Sequence, residues 1–285
     1  MGMRADSKKG KLAIICGTGD LPRLLAEECR YTSQEYIVVE FEHIPLDWVK
    51  SHPVIGAVFE RPGQLFARLK DFNCSMIVMA GAMVRAQIDI NRLDDKGHEL
   101  VEILAKTSKA GDDRTLSSII KFFVTNSFTI IGAHEVRSDL LPNAGVLTNI
   151  LPSEDDKYDV QRATDIVEAM GRADVGQAAV VAQGICLGLE SIQGTDRMLA
   201  FVKNNRKGYA SDANGSKGVL LKAPKPGQDL RVDLPTIGPD TVQNVFNAGL
   251  SGIVIEADGV MVLNQQKTVS LANDLGVFLW VRQKE

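Results

Sequence analysis

The sequence predicts an α/β protein with two domains. The first is an N-terminal parallel sheet covered by helices on both faces, and the second is a C-terminal α+β domain with a mixed sheet. Three observations predict this. Short apolar runs alternate with amphipathic helical patterns through the first half. A polar, proline-containing stretch, Leu151-Pro152-Ser153-Glu154-Asp155-Asp156, then interrupts the chain. Beyond it the pattern changes to longer strands and hairpin signals. A length of 285 residues suits two domains of ordinary size, here 1–152 and 153–285.

In the first half, Leu12–Cys16, Tyr36–Phe41, Val54–Phe59, Ser75–Ala80 and Phe128–Ile131 read as fully buried strands. Between them Leu21, Leu24, Leu25 and Cys29 share one helical face, and so do Leu65, Phe66 and Leu69. Leu100, Ile103 and Leu104 mark a third helix, and Leu116, Ile119, Ile120 and Phe123 a fourth. Strand–helix alternation of this kind demands parallel pairing through crossovers. In the second half we expect a helix over 159–172, one long strand over 176–190 and a helix over 195–204. A strand over 218–223 and a helix over 240–248 follow. Ile253–Glu256 and Val260–Leu263 flank Asp258-Gly259, a hairpin signal. A last helix leads into a strand at Val277–Val281.

Composition narrows the function classes. Thirty-two basic and 36 acidic residues leave a net charge of −4, so no general basic footprint for nucleic acid exists. Aromatics at 6% make a single-strand stacking platform a poor reading. Cys16, Cys29, Cys74 and Cys186 show no CxxC spacing, which reads as reduced thiols of a cytosolic protein. Met1–Gly10 is polar and no apolar run reaches spanning length, so a soluble protein is expected. His43, His52, His98 and His134 form no HExxH or close His/Cys cluster, and no GxSxG elbow occurs.

Several segments can carry chemistry. Gly17-Thr18-Gly19-Asp20-Leu21-Pro22 sits between a buried strand and a helix, where glycines let backbone approach a phosphate or ribose. Asp20 can cap that helix and Pro22 suits its first turn. Pro22 stands where a dinucleotide fingerprint has its third glycine, yet Glu40 would suit a ribose. A nicotinamide-dependent oxidoreductase therefore stays open, as does a ligand-free tight turn. Gly81-Ala82-Met83-Val84-Arg85 lies at the carboxyl end of the fourth strand, where open sheets place ligands. Lys109-Ala110-Gly111-Asp112-Asp113-Arg114 offers charge beside a flexible turn, with either aspartate equally suited to a plain helix cap.

In the second half, Glu190, Gly194-Thr195-Asp196 and Arg197 fall where a strand ends and a helix starts. Lys222-Ala223-Pro224-Lys225-Pro226-Gly227-Gln228-Asp229-Leu230-Arg231-Val232-Asp233-Leu234-Pro235 packs charge into a proline-stiffened loop. From Lys203 to Lys225 the chain carries six basic residues and one acid, Asp212, either a funnel for a diphosphate or a solvated face. Lys222, Lys225 and Arg231 can neutralise phosphate oxygens, while Asp196, Asp229 and Asp233 can hold Mg²⁺ or Mn²⁺. Those are the parts that hydrolysis of a phosphoanhydride needs.

At these residues the chain resembles the bacterial LpxI-type UDP-2,3-diacylglucosamine pyrophosphatases. The matching pieces in the first half are Gly17–Pro22, Ala80-Gly81, Gly111-Asp112-Asp113 and Gly132-Ala133-His134. In the second half they are Asp174–Gln177, Val181–Gly184, Glu190 with Gly194-Thr195-Asp196, Lys225–Pro235, Gly238–Thr241 and Ala248–Leu250. The resemblance implies a Rossmann-like N-terminal domain and a catalytic C-terminal domain. It implies metal-dependent hydrolysis, with Mg²⁺ or Mn²⁺, of UDP-2,3-diacylglucosamine to UMP and 2,3-diacylglucosamine 1-phosphate (lipid X) in lipid A biosynthesis. Water is expected to attack the sugar-side phosphorus. The resemblance also implies a cytoplasmic protein in transient contact with the inner membrane, and it is compatible with a homodimer.

Carried onto this chain, the resemblance makes Asp229 the essential carboxylate, as metal ligand or water activator, with Asp196 and Asp233 as further catalytic candidates and Asp196 as the second metal ligand. Substrate contacts are expected at Gly17, Gly19, Asp20, Gly81 and Ala82, and at Gln183, Gly194, Thr195, Lys222, Lys225 and Arg231. Two departures stand out: Ala82–Ala86 lacks the proline associated with that turn, and Glu256-Ala257-Asp258-Gly259 carries an extra acidic residue. A non-catalytic nucleotide-sugar or lipid sensor remains the third reading. Asp229→Ala separates it from a hydrolase, which should lose rate more than affinity.

Overall fold

A computed structural model describes residues 10–83, 88–107, 112–206, 208, 212 and 214–284, with the backbone alone at 107, 112 and 113. Arg85, Lys109 and Lys207 therefore lie outside the described side chains, as do the Asp112 and Asp113 carboxylates. The chain divides into two compact units, Met1–Arg137 and Ser138–Glu285. The Leu151–Asp156 stretch lies inside the second.

The first unit is a five-stranded parallel sheet of order β3-β2-β1-β4-β5. Its elements run β1 (Lys11–Cys16), α1 (Leu21–Tyr31), β2 (Tyr36–Phe41), β3 (Val54–Ala57), α2 (Pro62–Asp71), β4 (Cys74–Ala80), α3 (Asp95–Thr107), α4 (Asp112–Thr125), β5 (Thr129–Ile131) and α5 (Ala133–Val136). The five expected strands and four expected helices are all present. β1 is buried along almost its whole length because it pairs with β2 on one side and β4 on the other, which is why its sequence is a continuous apolar run. Leu24, Leu25 and Cys29 seat α1 on the sheet, while Phe66, Phe122, Phe123 and Phe128 form a ring cluster among α2, α4 and the entry to β5.

The strand order reverses beside β1, so the turns after β1 and β4 meet at the carboxyl edge. Gly17 N–H donates to the Ala80 carbonyl (2.7 Å), and Thr18 and Ala82 exchange backbone hydrogen bonds (2.8 and 3.0 Å). A β-carbon on Gly17 would strike the Ala82 carbonyl, and one on Gly81 (φ +86°) would strike that of Thr18.

The second unit is a mixed six-stranded sheet of order β6-β13-β11-β9-β7-β8, with a separate parallel pair β10-β12. In chain order it comprises β6 (Gly145–Val146), α6 (Glu154–Arg172), β7 (Ala178–Ala182), β8 (Ile185–Leu189), α7 (Gly194–Asn205), β9 (Val219–Lys222), β10 (Thr236–Ile237), α8 (Pro239–Asn247), β11 (Gly252–Glu256), β12 (Met261–Val262), α9 (Gln265–Leu275) and β13 (Phe278–Arg282). β9, β11 and β13 are parallel. Side chains alternate strictly across them: Leu220, Ile253, Ile255 and Leu279 pack with α7, α8 and α9, whereas Val219, Leu221, Val254 and Phe278 pack with α6.

Three expectations are corrected here. The segment 176–190 is a hairpin, not one strand: Gln183 (φ +51°) and Gly184 (φ +76°) turn the chain. The buried Asp159 carboxylate accepts from both of their N–H groups (3.0 and 2.7 Å). The Asp258-Gly259 turn joins no hairpin. Both edges of β11 are occupied by β9 and β13, so β12 pairs with β10 instead. Finally, α6 starts at Glu154 and not near 159, because Ser153 and Asp156 form a capping box: Asp156 N–H donates to Ser153 Oγ (3.1 Å) and Ser153 N–H to Asp156 Oδ2 (2.9 Å).

Candidate functional site

In the second unit the carboxyl ends of the three parallel strands point the same way as the start of β7, so Lys222 lies opposite Ala178 and beside Ile255. Alternation sends the Lys222 side chain to the α7 side of the sheet, where it is only 8% exposed. Its ammonium donates to Thr195 Oγ1 (2.7 Å), and that hydroxyl donates to Glu190 Oε1 (2.9 Å). The Lys222–Glu190 charge separation is 3.7 Å. A buried lysine needs such a partner to keep its charge. Glu190 Oε2 and, at the start of β7, Gln177 Oε1 are buried acceptors with no hydrogen-bond donor among the described residues.

The proline-stiffened loop leaves the sheet directly after Lys222. Buried Gln228 closes it: its Oε1 accepts from Lys225 N–H (2.9 Å), and its amide donates to the Asp233 carbonyl (2.5 Å) and Asp233 Oδ2 (2.6 Å). Asp229 receives both the Nε and an Nη of Arg231 (2.9 and 2.7 Å) and also its backbone N–H (3.0 Å). The Arg231 guanidinium holds the Asp229 carboxyl below the usual aspartate range. Lys225 Nζ meets Asp174 at 2.6 Å. Asp196, in the first turn of α7 and exposed, accepts from Asn244 Nδ2 (3.0 Å).

The sequence-predicted residues thus fall into separate groups. Lys222 and Thr195 come together around Glu190, with Gly194 (φ +79°) and Asp196 adjacent on α7. Lys225, Asp229, Arg231 and Asp233 share the Gln228-closed loop. Gln183 does not join them: it sits at the other end of β7, and its side chain bonds the backbone of Asp212 and Ser216. In the first unit Gly17, Gly81 and Ala82 meet, while Gly19 (φ +92°) faces open space. Asp20 forms no side-chain cap, contrary to expectation. Its backbone is already helical (φ −80°, ψ −23°), which turns the carboxylate away from the first N–H groups and toward Arg23 (3.9 Å). Glu40 is engaged by Leu46 N–H (2.7 Å).

A cavity of about 310 Å³ opens on the α6 side of the same strand ends, reached by Lys222, Pro224 and Pro226. Besides Lys222 and Glu256, which the sequence singled out, its charged residues are Glu168, Arg172, Arg282 and Lys284, which sequence reading missed. Register reveals Arg282, which lies directly opposite Glu256. The Gly259 turn packs on Pro224, where an added β-carbon would come within 2.8 Å. The departure at 256–259 therefore abuts the site loop.

Among the described residues no three His, Cys, Asp or Glu side chains are grouped to hold a metal alone. Asp229 and Asp196 nonetheless offer hard carboxylate oxygens, and Mg²⁺ is commonly held by one or two carboxylates with substrate phosphates completing its shell. The donor chemistry fits on those terms. Thiol chemistry does not fit: burial pushes Cys16 and Cys29 up to about 12 and raises Cys74 and Cys186 too. No helix among the described residues is long and apolar enough to cross a membrane.

Family models described as the LpxI N-terminal domain and the LpxI C-terminal domain match residues 11–140 and 143–280. UDP-2,3-diacylglucosamine pyrophosphatase LpxI of Caulobacter vibrioides is 34% identical over 269 residues, spanning 94% of this chain and 96% of that protein. Among solved structures, CobK precorrin-6A reductase shares 14% identity over 97% of this chain and 89% of its own, at a TM-score of 0.30. N5-carboxyaminoimidazole synthase from Aspergillus clavatus shares 12% over 61% and 39%, at 0.22. Neither superposition is close enough to bear on function.

Proposed function

The chain belongs to the LpxI family, and on that premise we propose that it hydrolyses UDP-2,3-diacylglucosamine to UMP and 2,3-diacylglucosamine 1-phosphate, as a step of lipid A biosynthesis. The observation that carries this for the present chain is the buried Lys222–Thr195–Glu190 network under the Gln228-closed loop. It fixes a cation and an oriented hydroxyl beside a segment rich in carboxylates and further cations. Lys222 has ammonium hydrogens to spare for a phosphate oxygen, and Lys225 and Arg231 would exchange Asp174 and Asp229 for phosphate on binding.

Asp229 acts in this reading as an anionic ligand and water-orienting group: the Arg231 side chain, once turned to phosphate, releases carboxylate oxygens for a cation or a water. Asp229 and Asp196 would hold Mg²⁺ or Mn²⁺, with Asp233 supporting the loop. When bound, the cation supplies Lewis-acid charge to the diphosphate. Water adds to the sugar-side phosphorus, the bridging P–O bond breaks, and UMP leaves with that oxygen. A phosphate leaving group is already weakly basic, so no strong general acid is required. Gln183 would act indirectly, through its hydrogen bonds to Asp212 and Ser216. Reaction at the cytoplasmic face of the inner membrane would give access to a lipid substrate, and a homodimer is compatible with it.

The test is incubation of the purified protein with UDP-2,3-diacylglucosamine in H₂¹⁸O with Mg²⁺, Mn²⁺ or EDTA, read by mass spectrometry. Heavy oxygen in lipid X, dependent on metal, is expected. Label in UMP would overturn the attack site alone. No turnover with any metal would sink the enzyme and leave the sensor.

A further inference from the structure

We propose that the cavity on the α6 side of the strand ends is the seat of the nucleoside monophosphate end of the substrate, with Arg282 as its anion anchor. This rests on the pyrophosphatase reading and extends it to residues outside the Lys225–Asp233 loop. The cavity has an apolar floor of Val167, Leu221 and Val254, with the rings of Pro224 and Pro226 at its side. Its volume, about 310 Å³, suits a compact body and not a pair of long acyl chains.

Charge identifies the polar end. Of the cations lining the cavity, Arg172 lies 3.7 Å from Glu168, Lys284 lies 3.4 Å from Glu256, and Lys222 is neutralised by Glu190. Arg282 differs. Part-buried at the end of β13, it has no carboxylate within 4 Å among the described residues, although Glu256 lies opposite it in register. A part-buried guanidinium facing a cavity, with no carboxylate within 4 Å among the described residues, is a two-pronged donor for a phosphate. Because Lys222, Pro224 and Pro226 belong both to the cavity and to the start of the site loop, a phosphate on Arg282 stands next to the loop that carries Asp229. Pyrimidine and ribose then lie on the apolar floor against the prolines.

Both reaction products are phosphate monoesters, so the experiment separates them. Calorimetric titration of the full chain with UMP, a short-chain diacylglucosamine 1-phosphate and inorganic phosphate would be run on wild type, Arg282→Ala and Arg282→Lys, with thermal midpoints as a folding check. UMP affinity should fall about tenfold or more in Arg282→Ala and less in Arg282→Lys, whose charge remains but whose fork is lost. KM for the full substrate should rise more than kcat falls. Inorganic phosphate, lacking the apolar contacts, should bind weakly throughout. UMP affinity unchanged in a folded Arg282→Ala, no UMP binding to wild type, or loss confined to the sugar phosphate would each overturn the assignment. Turnover with unchanged UMP affinity defeats only this subsite. UMP affinity lost at Arg282 in a protein that never hydrolyses the lipid nucleotide keeps the subsite and defeats the enzyme.

Discussion

Lys222→Met is the most direct probe of the buried network, because methionine nearly matches the lysine stem and removes only the ammonium. Lys222 and Glu190 side chains are 8% and 11% exposed, with charges 3.7 Å apart. Breaking a buried pair by deleting one partner costs about 3–5 kcal/mol, since the other charge is left without compensation. Here Thr195 still donates to Glu190 Oε1, while Oε2 has no donor among the described residues to begin with. The retained hydrogen bond puts the cost at the lower end, about 3 kcal/mol. For a unit of this size that lowers the midpoint of its thermal transition by roughly 6–12 °C. Calorimetry and urea unfolding on Lys222→Met, Glu190→Gln and the double variant would read it. The double variant should be more stable than Lys222→Met, because a neutral amide at 190 no longer needs the ammonium. A Lys222→Met loss under about 1 kcal/mol, or strictly additive losses in the double variant, would refute the reasoning.

At the first unit's carboxyl edge, Gly17→Ala should destabilise by about 2 kcal/mol or more through collision with the Ala82 carbonyl. Gly19→Ala, strained by φ but meeting open space, should cost about 1 kcal/mol; equal midpoints on thermal denaturation would contradict the loop packing. For Asp229, the carboxyl is held below its ordinary 3.8 by Arg231, so the pair stabilises the fold above that value and the contribution fades as pH falls through the depressed pKa. The pair is part-exposed, so Arg231→Met should cost less than about 1 kcal/mol at pH 7. NMR titration should find the Asp229 carboxyl shifted upward in that variant, and a stability gap that widens toward pH 3 would show the sign to be wrong.

Much of the first unit is legible in the chain because its physics is local. β1, β2 and β4 are buried by strands on both edges and helices on both faces, so each reads as an apolar run closed by a turn residue. Gly17 and Gly81 also announce themselves, and in the fold a β-carbon on either would collide with the other turn. The second unit misleads in identifiable places. Apolar character runs through Gln183-Gly184, and the Asp159 carboxylate that holds the turn lies 24 residues away from Gln183. The hairpin signal at Asp258-Gly259 is genuine as a turn, yet pairing went elsewhere because β9 and β13 had already taken both edges of β11.

The amino-acid sequence by itself determined the α/β class, the family and the segments that carry charge at strand ends. These depend on residue periodicity and short-range motifs. Tertiary structure alone decided that Glu190, with Thr195 between them, is the counter-ion of Lys222, and that Gln183 serves the far end of β7. It also decided that Arg282 faces a cavity across from Glu256. The physical reason is strand register. For Lys222, Glu256 and Arg282 the face of the sheet and the neighbours 26 or more residues away follow from which strands pair and in what alignment, and a one-residue slip would send each of these three to the opposite side.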